Sequence, residues 1–203
     1  MNGHTLALFV DRPGAGALEL PAAVRVVYVA EGQASVNGAG LGANEAWHGT
    51  DGAAVEAPGA VLLRWELSRG PAADGATLAA PVELDEGVEH LLRCDRVDFP
   101  PAGEALLHTH QGPGIRCLLF GTFAVETDGE RLELEPYGAW FEAGPSPVYA
   151  RAGDEAAAAF ARVMVLPRRL LGQSSIRYVR DEDRDRPKSQ RYTVFLDVPV
   201  ELP

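Results

Sequence analysis

One pattern of glycines, apolar runs and an Ala-Trp pair occurs twice in this chain. Gly32 and Gly121 anchor the two copies, and Gly14 and Gly103 lie at the same distance upstream of them. In each copy an apolar run precedes the anchor, and a hairpin-like segment, an Ala-Trp pair and a closing strand follow it. In the first copy these are Val26–Val29, Gln33–Asn37, Ala46-Trp47 and Val61–Leu67. In the second copy they are Cys117–Phe120, Thr122–Thr127, Ala139-Trp140 and Phe160–Leu166. Such a repeat predicts two copies of one supersecondary unit.

The repeated segments have the composition of strands. They are short, rich in Val, Leu and Phe, and separated by Gly, Pro and Asp, which is typical of strands joined by tight turns. Thr127-Asp128-Gly129 is a typical hairpin turn. Long amphipathic helical stretches are absent from the sequence. The predicted class is therefore all-β, with a barrel or jelly roll favoured.

The repeat also predicts the domain boundaries. Ser68–Asp85 is rich in Ala, Gly and Pro and has the composition of a linker, and Tyr192–Leu196 is predicted as a strand that adds to a sheet edge. The expected divisions are an N-terminal repeat at 1–70, a linker at 71–89, a C-terminal repeat at 90–168 and a C-terminal extension with an edge strand at 169–203.

Charge and cysteine content exclude several classes of partner. The net charge of −11 argues against nucleic acid and against an anionic membrane surface, because both need clustered Lys and Arg. Two cysteines, Cys94 and Cys117, are too few for a disulfide framework or a cysteine zinc site. No signal peptide and no apolar run long enough to span a membrane is visible, so a cytoplasmic location is expected.

The strongest chemical signal is the pair His108 and His110. Residues at i and i+2 on a strand project to the same face, so both rings would point to the inside of a barrel. Neutral imidazole is a good ligand for divalent transition metals. The spacing therefore favours a metal site, while a metal-free polar pocket formed by the same histidines stays open as an alternative.

At these residues the sequence resembles the cupin superfamily. Gly103, His108-Thr109-His110 and Gly121 follow the layout of the first cupin motif, and Pro136–Tyr149, with its turn and its Ala-Trp-Phe strand, is similar to the looser second motif. The resemblance covers the second repeat well and the first in outline. It implies two tandem cupin-type jelly-roll β-barrels, a bicupin, with a cavity that holds one divalent transition metal (Fe, Mn, Ni or Zn) and a small ligand.

The sequence departs from the motifs at two expected ligands. The motif glutamate would fall at Gly114 or Ile115, and the motif histidine would fall at Val148 or Tyr149. Because catalytic metal sites use three or more protein ligands, we consider Tyr149 and Glu142 as additional metal ligands. The first repeat has no histidine pair at the matching positions and is expected to be structural.

Two further residues are candidates for binding a substrate. Arg116 lies near the histidines and could hold a carboxylate, since guanidinium suits that geometry; the alternative is an outer-face ion pair. Trp140 could line a pocket; the alternative is a place in the barrel core.

These features support two functional hypotheses. The first is a metal-binding cupin-type enzyme, dioxygenase-like or isomerase-like, that acts on a small carboxylate-bearing metabolite. The second is a non-catalytic bicupin that binds a small ligand or is structural, with a vestigial metal site. The C-terminal strand is expected to mediate a homodimer.

Overall fold

The chain folds almost entirely into antiparallel strands. The structure, a computed structural model, describes residues 3–14 and 16–203. It divides into two units, one formed by residues up to Glu89 together with Val200–Pro203, and the other by His90–Pro199. Each unit has its own pair of sheets.

In the first unit, one sheet has the strand order β6-β3-β8-β1-β9 and the other has the order β2-β7-β4-β5. The strands of this unit are β1 (His4–Asp11), β2 (Leu18–Leu20), β3 (Val24–Glu31), β4 (Gln33–Val36), β5 (Ala39–Gly42), β6 (Ala46–Gly49), β7 (Ala53–Glu56), β8 (Val61–Arg69) and β9 (Leu78–Val82). Strands β3 and β8 are buried on both faces over most of their length, which explains their near-continuous apolar runs.

The second unit repeats this arrangement, with sheet orders β15-β12-β17-β10-β19 and β14-β13-β16-β11-β18. Its strands are β10 (His90–Phe99), β11 (Glu104–His110), β12 (Gly114–Phe120), β13 (Phe123–Thr127), β14 (Glu130–Leu134), β15 (Ala139–Glu142), β16 (Val148–Ala152), β17 (Ala158–Pro167), β18 (Ile176–Tyr178) and β19 (Arg191–Val200). Short 3-10 helices cover Arg168–Leu170 and Asp181–Asp183.

The repeat read from the sequence extends to a local irregularity of the sheets. The pairing of β3 with β8 shifts register between Val29 and Glu31, and the pairing of β12 with β17 shifts between Leu118 and Phe120. Both shifts lie just before the anchor glycines of the repeat. The predicted fold class, all-β with two tandem cupin-type jelly-roll units, is confirmed.

The segment 71–89, which we expected to be a linker, contains a strand of the first unit. Leu78–Val82 forms β9 and pairs antiparallel with β1, from His4 opposite Val82 to Leu8 opposite Leu78. The linker prediction is corrected here, since the first sheet extends through Val82.

The C-terminal segment 169–203 also belongs largely to sheets. Strand β18 pairs with β11 next to the two histidines, with His108 opposite Tyr178 and His110 opposite Ile176. Strand β19 forms the edge of the other sheet, beside β10. These two strands border the site described below. None of the helices in residues 3–14 and 16–203 is long and apolar enough to cross a membrane.

Candidate functional site

The interior of the second unit contains an apolar core and a charged layer. The core is formed by Val97, Phe99, Ala105, Leu118, Phe123, Val125, Trp140, Val148, Ala150, Ala152, Ala158 and Phe160. The charged layer, as we name it, comprises Asp95, His108, His110, Arg116, Glu142 and Arg162, all less than 9% exposed. Buried charge is costly unless it is paired, so the contacts within this layer decide what it can do.

Strand alternation places these side chains on the inner face. On β11, His108 and His110 are buried and Thr109 between them is partly exposed. In the other sheet of this unit, Gly114 pairs with Glu142, and Arg116 is opposite both Trp140 on β15 and Arg162 on β17. Inward residues of three adjacent strands therefore lie side by side in one layer.

The two histidines contact each other directly. Their Nε2 atoms lie 3.1 Å apart, and the rings are nearly perpendicular at 89°. His108 Nδ1 lies 2.7 Å from the carbonyl oxygen of Leu106, and because a carbonyl only accepts, this nitrogen carries the proton. The lone pair of neutral His108 is then on Nε2, where it accepts a hydrogen bond from His110 Nε2.

Glu142 joins the histidines to Arg116. Its Oε1 accepts a 2.8 Å hydrogen bond from Trp140 Nε1, and its Oε2 lies 2.6 Å from Arg116 Nη2 and 3.3 Å from His110 Nε2. The Arg116–Glu142 contact is an ion pair without normal hydrogen-bond geometry, since neither Arg116 Nη2 nor Glu142 Oε2 has a hydrogen-bond partner. Electrostatic attraction therefore holds this carboxylate in place.

A second buried ion pair joins Arg162 to Asp95. Arg162 Nε and Nη2 lie 2.6 and 3.1 Å from the two Asp95 oxygens, a bidentate arrangement. The third nitrogen, Nη1, has no carboxylate partner in this pair and lies 3.5 Å from His110 Nε2. One edge of this guanidinium is thus left for another acceptor.

Burial sets the protonation of the layer. Burial lowers the pKa of His108 below its ordinary value of 6.5. It lowers the pKa of His110 well below that value, and the cations Arg116 and Arg162 add to the effect. Burial also lowers the pKa of Arg116 to about 10. Near neutral pH both imidazoles are therefore uncharged and the Arg116 guanidinium keeps its charge.

Two cavities adjoin the charged layer. A cavity of about 20 Å³ lies between the layer and the apolar core, against His108, His110 and Glu142, and it has room for about one water molecule. A larger, partly open cavity of about 440 Å³, the mouth cavity, lies between β18 and β19. Arg162 and Tyr192 line both cavities, so together they form the boundary between them.

Two other cationic side chains, one that lines the mouth cavity and one that packs against a lining residue, are already engaged. Arg93 donates to Asp197 through Nε and Nη2 and to the carbonyls of Gln173 and Leu170. Lys188, the chain's one lysine, donates to the carbonyls of Asp183, Arg184 and Arg186 and lies 4.5 Å from the Tyr178 ring centroid. Of the two cations that line the cavity, Arg93 has all three nitrogens engaged, whereas Arg162 keeps Nη1 outside its carboxylate pair.

The structure brings together most of the residues singled out from the sequence. His108, His110, Glu142, Arg116 and Trp140 all face the interior of the second unit, so the outer-face alternative for Arg116 does not apply. Trp140 is a core residue whose indole also donates to Glu142.

Tyr149 is not brought to the histidines. Its neighbours Val148 and Ala150 lie in the core, while Tyr149 itself lines a surface groove with Leu107 and donates a 2.8 Å hydrogen bond to Glu104. Sequence reasoning missed Asp95, Arg162 and Tyr192. The signal for Arg162 was a lone charge in the apolar strand Ala158–Pro167, whereas Asp95 lies among other charged residues of β10 and gave no such signal.

A resident metal ion, which the fold implies, was tested against this donor set. In the described part of the chain, no group of three or more His, Cys, Asp or Glu is arranged to hold a metal ion. The histidines offer two nitrogens, and the Glu142 oxygens are engaged by Trp140 and Arg116. Catalytic metal sites need three protein ligands, so the residues present do not fit a metal centre.

The first unit carries a different charged layer. Strand pairing shows which residues of the two units are equivalent. Arg64 is the counterpart of Arg162, and its partner Val27 is the counterpart of Arg116. Gly49 lies where the second unit has Glu142. Arg64 pairs with Asp11 and Glu66, and Glu66 also binds the fully buried Arg25. The Trp47 ring fills the space at Gly49, where an added Cβ would lie 2.2 Å from it. Among residues 3–14 and 16–89, this unit therefore has no counterpart of the histidine–glutamate cluster.

Solved structures with this architecture have the cupin fold. AerE from Microcystis aeruginosa matches with a TM-score of 0.59 and 12% identity, over 80% of this chain and 88% of that one. Salicylate 1,2-dioxygenase from Pseudaminobacter salicylatoxidans matches with a TM-score of 0.55 and 13% identity, over 95% of this chain and 75% of that one. A cupin 2 conserved barrel domain protein from Leptotrichia buccalis matches with a TM-score of 0.50 and 15% identity, over 81% of this chain and 85% of that one.

The chain is therefore a cupin-fold protein made of two tandem jelly-roll units. No protein-family profile matches the chain, and no curated protein sequence matches it. The structural likeness at 11–17% identity establishes the fold alone.

Proposed function

We propose that the second unit binds a small carboxylate-bearing molecule in the mouth cavity, with the charged layer as the floor of the site. The observation that carries this proposal is Arg162, whose Nη1 has no carboxylate partner in the Asp95 pair and which borders a cavity of about 440 Å³. That volume lies within the range of small-molecule sites.

A carboxylate is the group that best complements this floor. A guanidinium edge binds carboxylate oxygens through charge-assisted hydrogen bonds. Asp95 holds Arg162 in a fixed orientation, so little conformational entropy is lost when a ligand arrives. The two carboxylates that also line the cavity, Asp95 and Asp197, are already paired with Arg162 and Arg93.

The walls of the mouth cavity suit an apolar ligand body. Ile176 and Tyr178 on β18 lie across from Tyr192 and Val194 on β19. Tyr192 and Val194 remain 39% and 53% exposed, which leaves apolar surface for a ligand to cover. Solved structures of salicylate 1,2-dioxygenase include a complex and adducts with gentisate, which supports a small-molecule partner for this fold.

The test is calorimetric titration of the protein with a panel of small carboxylic acids and their matching amides. We expect binding of acids over amides, weakened at least tenfold in the charge-neutral double variant Arg162→Gln/Asp95→Asn. Arg131→Gln is the matched control, because Arg131 pairs with Glu126 and Glu133 on the exposed β14 hairpin. Equal affinity in the double variant, or no acid bound at all, would refute the proposal.

A metal-dependent enzyme is the second candidate. The observation in its favour is the 3.1 Å separation of the two Nε2 atoms, a spacing that two nitrogens on one metal ion also adopt. Elemental analysis of protein purified without a chelating tag tests it. About one equivalent of a single transition metal, lost in His108→Ala, would favour the enzyme over the metal-free binding protein.

We also propose that the protein forms a homodimer through β19. This strand lies at the edge of its sheet, and edge strands offer backbone groups for pairing with another chain. Light scattering on Val194→Lys, which adds a charge to the exposed centre of this strand, tests the idea. A dimeric wild type that becomes monomeric is the expected result, and a monomeric wild type would contradict it.

A further inference from the structure

One nitrogen of the charged layer, His110 Nε2, lies at a ligand-to-ligand distance from two other donor atoms. His110 Nε2 lies 3.1 Å from His108 Nε2 and 3.3 Å from Glu142 Oε2. Donors about 2.1 Å from a common metal lie roughly 3 Å apart, and two histidines with one carboxylate form a familiar metal-binding triad. These two distances suit ligands of a common metal, yet in the described part of the chain the side chains are not arranged as a three-ligand site.

Arg116 distinguishes this histidine–glutamate cluster from a metal site. Its Nη2 lies 2.6 Å from Glu142 Oε2, the oxygen that faces His110. A divalent cation and this guanidinium would compete for the same lone pairs of the same carboxylate. As long as the Arg116–Glu142 pair persists, the cluster offers a metal only two nitrogens.

The local structure fixes Arg116 in this position. The side chain is fully buried, and its Nη1 donates a 2.6 Å hydrogen bond to the carbonyl of Gly114. A Cβ at position 114 would lie 2.7 Å from Met164 Cγ and from the carbonyl oxygen of Val163, and 3.1 Å from Arg116 Nη1. Close packing against β17 therefore requires glycine here, and its small size also leaves room for the guanidinium.

The balance of charges in the layer also disfavours a divalent metal ion in the presence of Arg116. Arg116 and Arg162 carry two positive charges, and Asp95 and Glu142 carry two negative charges, so the layer with neutral histidines is balanced. A divalent ion added to it would leave two uncompensated charges in a buried site, which is costly. Removing the charge of Arg116 leaves one negative charge, to which a divalent ion can bind favourably.

We propose that Arg116 is a specificity-determining residue that takes the place of a divalent metal in this barrel and excludes it. The proposal concerns the charged layer and is independent of the ligand proposed above. It predicts that the cluster becomes a metal site when the charge of Arg116 is removed and Glu142 is kept.

The experiment compares wild-type protein with Arg116→Met, both purified without a chelating tag and dialysed against Co²⁺ or Zn²⁺ alone. We expect less than about 0.1 equivalent of metal in the wild type and about one equivalent in Arg116→Met. The bound Co²⁺ should give visible absorption bands that disappear in Arg116→Met/His108→Ala. Arg116→Lys is the matched control, because it keeps a cation beside Glu142 and should still exclude metal.

Two results would overturn the proposal. One is a wild type that holds about one equivalent of metal, lost in His108→Ala; this result needs no Arg116 variant. The other is a folded Arg116→Met protein that takes up no metal. If Arg116→Met does not fold alone, refolding it with Co²⁺ must restore a cooperative thermal transition, and failure of this rescue also counts against the proposal. No small acid is used, so the ligand proposal can fail without affecting this one.

Discussion

Gly32 and Gly121, at equivalent points of the two units, show how single residues determine the shape of the barrels. They have φ values of +81° and +80°, a region that favours glycine. A Cβ on Gly32 would lie 3.1 Å from Ala60, and a Cβ on Gly121 would lie 2.5 Å from the carbonyl oxygen of Ala157. These glycines close the bulged ends of β3 and β12, which explains why they anchor the sequence repeat.

The first residue-scale prediction compares two glycine substitutions. Gly129 has a φ of +79° but open space around its Cβ position, so Gly129→Ala tests backbone strain alone. We expect Gly129→Ala to lower the free energy of unfolding by about 1 kcal/mol and Gly121→Ala by about 3 kcal/mol, because the latter adds a steric clash. Chemical denaturation measures both. Equal losses would show that close packing at Gly121 is unimportant.

The second residue-scale prediction concerns pH. The folded pKa of His110 lies below its unfolded value of 6.5, so its contribution to stability is fully present above pH 6.5 and is lost as pH falls towards the folded pKa. Between pH 6.5 and 5 the wild type should lose up to about 1.4 kcal/mol more per pH unit than His110→Gln. Denaturation across this range measures the difference, with His48→Gln as control. Parallel curves would mean that His110 is not buried in neutral form.

Strand parity predicted that His108 and His110 share the inner face, and parity also explains why Tyr149 was misplaced. His108 and His110 share a face by their spacing, and this required no tertiary information. Tyr149 lies between Val148 and Ala150, whose side chains point inwards, so the Tyr149 side chain points outwards. Treating it as a metal ligand amounted to assigning the inner face of β16 one residue out of step. Arg162 and Asp95 are 67 positions apart, and no local pattern reports that they form one ion pair.

At the scale of elements, the C-terminal strands complete the second unit. Arg93 on β10 contacts Asp197 on β19 and the carbonyls that follow β17, so one side chain fastens three segments. Strand β9 was read as a linker because Leu78–Val82 is rich in Ala and includes Pro81. Proline is tolerated there because β9 lies at the edge of its sheet.

The element-scale prediction tests the Arg93 contact. Arg93→Leu should lower the free energy of unfolding by about 3 kcal/mol, because Asp197 loses its partner in a largely buried pair. Amide exchange in β19 should also become faster than in β10. Arg191→Leu on the same strand is the control, since Arg191 is 80% exposed and should change little. Unchanged exchange in β19 would show that backbone pairing alone holds the strand.

At the scale of the whole molecule, each unit contains both of its sheets and its own core. The sequence predicted this doubling because turn glycines and strand periodicity are local signals that recur. It could not predict the charged layers, which arise from side chains on distant strands. The two units therefore share a backbone plan and differ in their interior chemistry.

The whole-molecule prediction is that residues 90–203 fold alone. Both sheets of the second unit form within this segment, so its core needs no strand from the first. A purified 90–203 fragment should give a β-type circular dichroism spectrum and a cooperative thermal transition. A fragment that aggregates or melts without cooperativity would show that the first unit is required for its stability.

The single lysine of this chain has a consequence for chemical labelling. Lys188 is the one side-chain amine available to an acylating reagent, and its lone pair is exposed only when the ammonium group leaves the three carbonyls that it caps. The rate of acylation at this position, followed by mass spectrometry, would therefore report the opening of one loop beside the mouth cavity. The native protein thus carries one side-chain amine whose labelling reports motion of the segment 183–188, which contacts Tyr178 of the mouth cavity.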